Sequence, residues 1–416
     1  MTTLMRSGPR SGPRRALSRR LLPLHLGIAA QGFILWLPVE KLFMSEIGFD
    51  PAAVGLMAAA YAAVVPLVEV PSGVLADRWS RRGVLIVSSV ALLVCALVGG
   101  LSNNVASYIA ATLALGAYFA MFSGTLDAMV YDTVLEETGD SLDFERRLGR
   151  VRFVESVALV GSSLAGGWLA SLMSTRATYF LSIPFAALSI VAYLRFREPR
   201  LHRSAAPTTL RQHVRTTFGA LTSSRALLPI IALAVIGAML TQTVFEFGPL
   251  WLVALAVPAV LYGPYWAALM ATLGIGGLLV ERLHLERPVR LFTVTALIVL
   301  ACGTLTVSRN FLVVTAAQLV VALLLVGIGI HVTKLLHDAT PSAVRAGVAS
   351  GVSSLSWLMF LPFSLVFGLV SDAYGVHRAG LLLIGAGIAV GVLLVVVQRR
   401  RPAGTPAEPA QLSLVA

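Results

Sequence analysis

Charge is what this 416-residue chain has least of. Only 12% of its residues are Asp, Glu, Lys or Arg, about half the share of roughly 25% found in an ordinary soluble domain. That shortage excludes a soluble globular enzyme, and the apolar excess that goes with it excludes a disordered or fibrous chain. Cysteine is nearly missing. Cys95 and Cys302 each sit within an apolar run, so they read as small buried hydrophobes and build neither a disulfide framework nor a thiolate metal site. Lysine occurs twice, as Lys41 and Lys334, among 32 basic residues. No Gly-Lys-Ser/Thr phosphate loop is present, so ATP is not a direct energy source. Nucleophile elbows, metalloprotease motifs and metal-ligand clusters are missing as well, and no cofactor or metal is expected. A membrane-embedded enzyme would need a tight polar cluster with assignable roles. The carboxylates here are scattered.

Apolar residues fill the space that charge leaves. They make up 57% of the chain. At about 20 residues per membrane helix, that is room for about twelve spans and little else. Spans are predicted near 21–45, 51–76, 84–101, 105–133, 150–172 and 177–196, then near 225–247, 257–280, 291–307, 310–336, 343–371 and 377–398. The resulting units are a basic cytoplasmic tail (1–20), a six-helix bundle (21–196), a polar cytoplasmic linker (197–224), a second six-helix bundle (225–398) and a cytoplasmic tail (399–416). The basic tail and the first apolar run imitate a signal peptide. The run is too long, no clear cleavage site follows, and many spans come after.

The net charge of +12 invites a nucleic-acid reading, which its distribution opposes. The basic residues lie in short runs between apolar stretches, as topology signals do. With the N-terminus in the cytoplasm, 28 of the 32 Lys and Arg fall on the inner face; Lys41, Arg176, Arg309 and Arg378 fall outside. This bias predicts a multi-pass protein of the plasma (inner) membrane with both termini inside. One missed helix would spoil it. The partners expected are the lipid bilayer, a small-molecule substrate and protons, with no nucleic acid, in a monomer.

The two halves share an echo. Gly73-Val74-Leu75-Ala76-Asp77-Arg78 ends span 2, and Gly277-Leu278-Leu279-Val280-Glu281-Arg282 ends span 8. Equivalent placement in each half points to duplication. The first copy also resembles the loop between spans 2 and 3 of the major facilitator superfamily, Gly-x-Leu-Ala-Asp-Arg-x-Gly-Arg-Arg/Lys. Gly73, Leu75, Ala76, Asp77, Arg78, Arg81 and Arg82 match, and Ser80 replaces the second glycine. Pro341 to Ala346 is similar to the family's approach to span 11. The resemblance covers about 21–398. It implies an all-α integral membrane fold of twelve helices in two pseudo-symmetric halves, and a secondary transporter working by alternating access. It also implies that Gly73, Asp77, Arg78, Arg81 and Arg82 form a conformational latch between the halves; the simpler reading is a topology-setting basic loop.

Two departures blur the subclass. Many proton-coupled exporters of the family carry an Arg early in span 4, and Ala106 to Ala120 holds no basic residue. The Gly-Pro-x-x-Gly-Gly pattern of span 5 survives only as Ser162-Ser163-Leu164-Ala165-Gly166-Gly167. The function expected is proton-coupled efflux of small amphipathic compounds; the alternative is a proton symporter or facilitator for a small metabolite.

A charge at the bilayer centre costs about 2.5–3.5 kcal/mol on insertion scales, so intramembrane carboxylates are candidates for work. In general, a cavity carboxyl that binds and releases a proton as access alternates is what proton coupling needs. Proton-coupling candidates are Asp127, Glu69, Glu246, Glu40 and His331. Glu69 stands two turns above Asp77, between Pro66 and Pro71. Ser123, Asp127 and Tyr131 recur at i, i+4, i+8 and form a polar stripe on span 4; since spans 1, 4, 7 and 10 line the family's cavity, the resemblance implies that this stripe meets substrate or proton, and Asp127 is the favoured carrier. Gln242 and Glu246 are i, i+4 in span 7. The substrate-cavity candidates are Gln31, Ser123, Tyr131, Gln242 and Trp357. Lys41, beside Glu40, is expected to snorkel outward, Asp132 to be solvated at the interface, and Glu155 to pair with a nearby Arg. Tyr118, Phe119, Met121, Phe122, Phe245, Trp251 and Trp266 can build a greasy pocket with Trp357. Gly161, Gly166, Gly167, Gly347, Gly351 and Gly368 suggest close helix packing. Each carboxylate and His331 also has a plain structural reading, as a buried group satisfied by a neighbour.

Overall fold

The computed structural model describes residues 13–139, 143–199, 227–285, 287–340 and 345–399. Most of the tails and of the 197–224 linker therefore lie outside the described residues. What is described is helical, with no strand among it. The helices are α1 (Pro13–Gln31), α2 (Glu40–Glu46), α3 (Pro51–Arg78), α4 (Arg81–Leu101), α5 (Val105–Thr138), α6 (Phe144–Leu172) and α7 (Thr175–Arg195), followed by α8 (Leu228–Ala254), α9 (Ala259–Leu283), α10 (Pro288–Val307), α11 (Phe311–Asp338), α12 (Arg345–Tyr374) and α13 (Val376–Arg399). Eleven of these are long and apolar enough to cross a membrane. The twelfth crossing is assembled from α1, a 3-10 turn at Leu37–Val39 and α2.

That first crossing corrects the continuous span predicted over 21–45. The helix stops at Gln31 and resumes at Glu40. Broken backbone at membrane depth is tolerated only where protein satisfies it. Here Leu35 N–H donates to Ser182 Oγ at 3.0 Å. A Cβ on Gly166 would collide with the Leu35 carbonyl, so α6 makes room for the break with a glycine. The local signals are Gly32 and Pro38.

Short turns are closed by side chains the sequence supplies. Asp50, Ser80, Asn104 and Ser174 each accept a backbone N–H from three residues on, as N-caps do. Gly139 and Gly375 end α5 and α12 at positive φ, where glycine is the easiest residue. Pro66 and Pro71 sit inside an unbroken α3.

The N-terminal half packs α4 against α5 and α7, and α1 against α7; the C-terminal half packs α10 against α13 and α11 against α8 and α9. The halves meet along two seams, α3 with α12 and α6 with α9. At both, backbone lies on backbone. A Cβ on Gly55 would come within 2.6 Å of the Ser364 carbonyl, and one on Gly167 within 2.5 Å of Gly263 N. Both contacts lie toward the face opposite the N-terminus, the far face of the molecule. Of the glycines the sequence singles out, Gly166, Gly167 and Gly368 pack closely, whereas a Cβ on Gly161 would meet only Phe33, at 4.0 Å.

Candidate functional site

A cavity of about 560 Å³ lies between the halves. On α3, Met57, Tyr61, Val65 and Glu69 line it at four-residue spacing, one face of a helix. Glu40 and Lys41 enter from α2, Glu155 from α6, and Gln242 and Glu246 from α8.

Its most unusual feature is a buried triad. Lys41 Nζ donates to Glu40 Oε2 at 2.9 Å and to Glu246 Oε1. Lys41 is 3% exposed. The expectation that it snorkels outward is overturned, because the break before α2 turns the side chain in toward the partner half. Glu40 Oε1 also accepts from Tyr108 Oη at 2.9 Å, which lies 2.7 Å from Tyr179 Oη. Tyr179 stacks on Trp36 at 4.9 Å. A hydrogen-bonded chain thus runs from α7 through α5 and α2 to α8, crossing from one half to the other. Buried ion pairs seldom add stability over apolar packing of the same volume, so this one calls for a functional reason.

Glu69 is the second feature. Its Oε2 is shut off from solvent, and no donor among the described residues reaches it. A buried polar group without a partner is costly.

The third is a cluster on the N-terminal half. Arg152 donates to Asp127 Oδ1 at 2.8 Å and to Glu155 Oε2 at 3.0 Å. Glu155 pairs as the sequence predicts and also lines the cavity. Asp127 is half-exposed and is not among the lining residues. Of the polar stripe on span 4, Tyr131 is likewise not among the lining residues; it is exposed and packs edge-on against Phe144 at 5.1 Å. The Ser123 side chain lies outside the described residues. Asp132 is not simply solvated, since Arg81 Nη1 donates to its Oδ2 at 2.5 Å and to the Ala128 carbonyl at 3.2 Å. Arg82 donates to the Phe196 carbonyl. Glu198 accepts from Ser80 Oγ at 2.6 Å and from Arg81 N–H. Gly73 is exposed on α3, and the side chains of Asp77 and Arg78 are outside the described residues.

Other candidates fall out differently. Gln31 lines the cavity, but Tyr193 donates to its Oε1 at 2.6 Å and its Nε2 donates to Ser89 at 3.3 Å, so it ties α1 to α7 and α4. His331 is half-buried on α11 and not among the lining residues. Trp357 does line the cavity and meets Tyr61 of the other half edge-on at 5.3 Å. Of the predicted greasy pocket, Tyr118, Phe119, Phe122, Phe245 and Trp266 line it. Trp251 does not; its Nε1 donates to the Leu305 carbonyl. Met121 packs instead with Ala76 and Val84.

The cavity continues into an alcove of about 480 Å³ between α8, α11 and α12. Thr241, Gln242, Ser353 and Trp357 line both spaces, and Thr333 and Ser356 line the alcove. None of the described side chains lining the alcove is charged. The sequence reading missed Tyr61, Tyr108, Thr241 and Ser353. For Tyr61 a signal was present, its eight-residue spacing from Glu69. For Tyr108 there was none, because its partner is remote in sequence.

The Major Facilitator Superfamily profile matches residues 21–357. The chain belongs to that superfamily and is a multi-pass membrane transporter, not an enzyme. It is similar to Multidrug resistance protein 1 of Bacillus subtilis (strain 168), 25% identical over 187 residues that span 45% of this chain and 46% of the relative. Among solved structures, a point mutant of the nucleoside transporter NupG aligns with a TM-score of 0.74 at 14% identity, over 90% of this chain and 99% of that one. A bacterial homologue of the human lysosomal transporter Spinster, inward-facing and occupied, gives 0.71 at 13%, over 94% and 98%. A D-xylose-proton symporter gives 0.70 at 12%, over 92% and 98%. At these identities the structures speak to the fold alone.

Proposed function

We propose that the chain is a secondary transporter that exports small amphipathic compounds in exchange for protons, with both termini cytoplasmic. The observation that carries this reading is the Glu40–Lys41–Glu246 triad, which joins the halves across the cavity with Glu40 and Lys41 buried and Glu246 partly so. Charges at this depth tend to lie on ion or substrate pathways. Protonation of Glu246 would release Lys41 to Glu40 and weaken the tie between the halves. That is the kind of two-state element alternating access requires.

Glu69 and Glu246 are the foremost carriers in this reading, because both line the cavity, whereas Asp127 does not. In this orientation the close glycine contacts lie on the outer side, which makes the conformation inward-facing. The partial likeness to a multidrug resistance protein supports export.

The test is initial transport rate in proteoliposomes against an imposed pH gradient, over a panel of cationic, neutral and anionic amphipathic compounds. Gradient-driven exchange supports the reading. Transport indifferent to the gradient overturns it and favours a facilitator. Orientation has its own check in Cys95/Cys302-free protein: Leu210→Cys is expected to resist an impermeant thiol reagent in intact cells, and labelling from outside refutes the topology.

A further inference from the structure

On the outer surface of the N-terminal half, away from the central cavity, α1 and α7 leave a groove of about 340 Å³ between them. Its rims are exposed apolar side chains, Leu22 and Leu26 on α1 and Leu188 and Val191 on α7. The small side chains of Ala29 and Ala192 keep it from filling. At one end Phe33 stacks on Phe185, with ring centroids 4.8 Å apart. At the other end stands Arg195, in the last turn of α7. Ten residues of helix separate Phe185 from Arg195, a rise of about 15 Å at 1.5 Å per residue. That is half the thickness of a hydrocarbon core of about 30 Å. The groove therefore has the depth of one leaflet, with its cationic end at the membrane surface.

The charge at that end is in surplus. Arg19 precedes Leu22 by three residues on α1 and so lies on the same face, one turn nearer the helix start. Arg20 Nε donates to the Arg197 carbonyl at 3.4 Å, which brings the start of α1 level with the end of α7. Arg19 and Arg195 are both exposed, and neither has a hydrogen bond or ion pair among the described residues. The carboxylates nearby are already engaged. Glu136 and Glu137 are held by Arg20, and Glu198 accepts from Ser80 Oγ and Arg81 N–H. A helix C-terminus favours a cation, which accounts for Arg195 but not for the groove behind it. Guanidinium groups suit phosphate, which they can hold with two parallel hydrogen bonds.

We propose that this groove is a binding site for one anionic phospholipid of the leaflet on the N-terminal face, its phosphate held by Arg19 and Arg195 and an acyl chain lying between α1 and α7 as far as the Phe33–Phe185 stack. A free phosphate has no use for an apolar trough one leaflet deep, so the occupant is a lipid. The site is separate from the transport path and does not depend on what drives transport.

The test is native mass spectrometry of the purified, delipidated full-length protein in a non-ionic detergent, titrated with dioleoylphosphatidylglycerol or dioleoylphosphatidylcholine. The two lipids share their chains and differ in net charge. The first phosphatidylglycerol is expected to bind about twentyfold more tightly than the first phosphatidylcholine, since each arginine near a headgroup contributes about fivefold. Arg19→Gln/Arg195→Gln is expected to erase that preference. Arg399→Gln, which removes an exposed charge at the end of α13, is expected to keep it. Ala29→Phe fills the groove and leaves both arginines in place, and is expected to weaken phosphatidylglycerol binding about tenfold, the loss of roughly two buried methylenes' worth of contact. Glycerol 3-phosphate in large excess is expected not to compete.

Equal affinity for the two lipids, or an undiminished preference in the folded double arginine variant, overturns the site. A loss in Arg399→Gln as large as in the double variant would mean a diffuse surface charge effect and overturns it too. Full phosphatidylglycerol affinity in Ala29→Phe overturns the seating of the chain; should that variant fail to fold, Leu26→Phe on the exposed rim decides the point in the same way. Competition by glycerol 3-phosphate would show a site for a soluble phosphate and overturn the lipid.

Discussion

The N-terminal half lines the cavity with the charged Glu40, Lys41, Glu69 and Glu155, whereas the described lining of the C-terminal half has Glu246 as its charged group and is otherwise an amide, hydroxyls, rings and aliphatic side chains. The scaffolds around these walls are alike: each half supplies one helix to each seam, and the seams close on paired glycines. The two halves thus share their joints and differ in their lining. In the proposed transport cycle, proton traffic runs on Glu69 of the first wall and on the Glu40–Lys41–Glu246 tie between the walls, and hydrogen-bond recognition belongs to the uncharged polar groups of the second.

The sharpest way to break that division is at the residue that ties the walls together. Lys41→Gln leaves Glu40 and Glu246 buried without their cation, which costs about 3–5 kcal/mol for a broken buried pair. A marked fall in the thermal unfolding midpoint in detergent is expected. Adding Glu246→Gln should restore much of it, and a double variant no more stable than the single one would show that the two groups are not coupled.

Next in size is the seam. Gly368→Val places methyl groups against the backbone of Gly55 and the Pro51 carbonyl. Overpacking of this kind costs about 1–3 kcal/mol, here borne by the conformation closed at the far face. In Cys-free protein a cysteine at Met57 should then react faster with an impermeant reagent added on the far face. Unchanged reactivity would mean that the seam does not set the closed state.

Asp77→Asn is expected to slow transport at saturating substrate with insertion intact, if the basic loop acts as a latch; an unchanged rate would leave it a topology signal. The smallest effect is expected for Asp127→Asn. Asp127 is half-exposed and outside the cavity lining, so gradient-driven transport should stay close to wild type. A loss of coupling there as complete as in Glu69→Gln would return the proton to span 4.

The fold was legible because its signals are local. Long apolar runs, cap residues such as Asp50 and Ser80, and the basic runs between spans all report on a few neighbouring residues. The site was legible only in part. Glu69, Glu246, Gln242 and Trp357, which the sequence singles out, do line the cavity, and the lining position of Tyr61 was recoverable from helical spacing. Which way Lys41 turns was not, since that depends on the break after Gln31 and on a carboxylate from α8 on the other half. That Asp127 lies outside the lining was hidden for the same reason: its stripe is a regular helical pattern, but the neighbour it pairs with, Arg152, sits on another helix. Sequence periodicity identifies a polar face. Packing between helices decides what that face meets.

The central claim, that Glu69 on the N-terminal wall carries a proton while the uncharged groups of the C-terminal wall, Gln242 among them, recognise the ligand, is tested most directly by initial transport rates with and without an imposed pH gradient for wild type, Glu69→Gln and Gln242→Leu in proteoliposomes. The division of labour predicts that Glu69→Gln loses gradient stimulation, whereas Gln242→Leu keeps it and instead raises KM several-fold. Full gradient stimulation in Glu69→Gln, or its loss in Gln242→Leu, would contradict it.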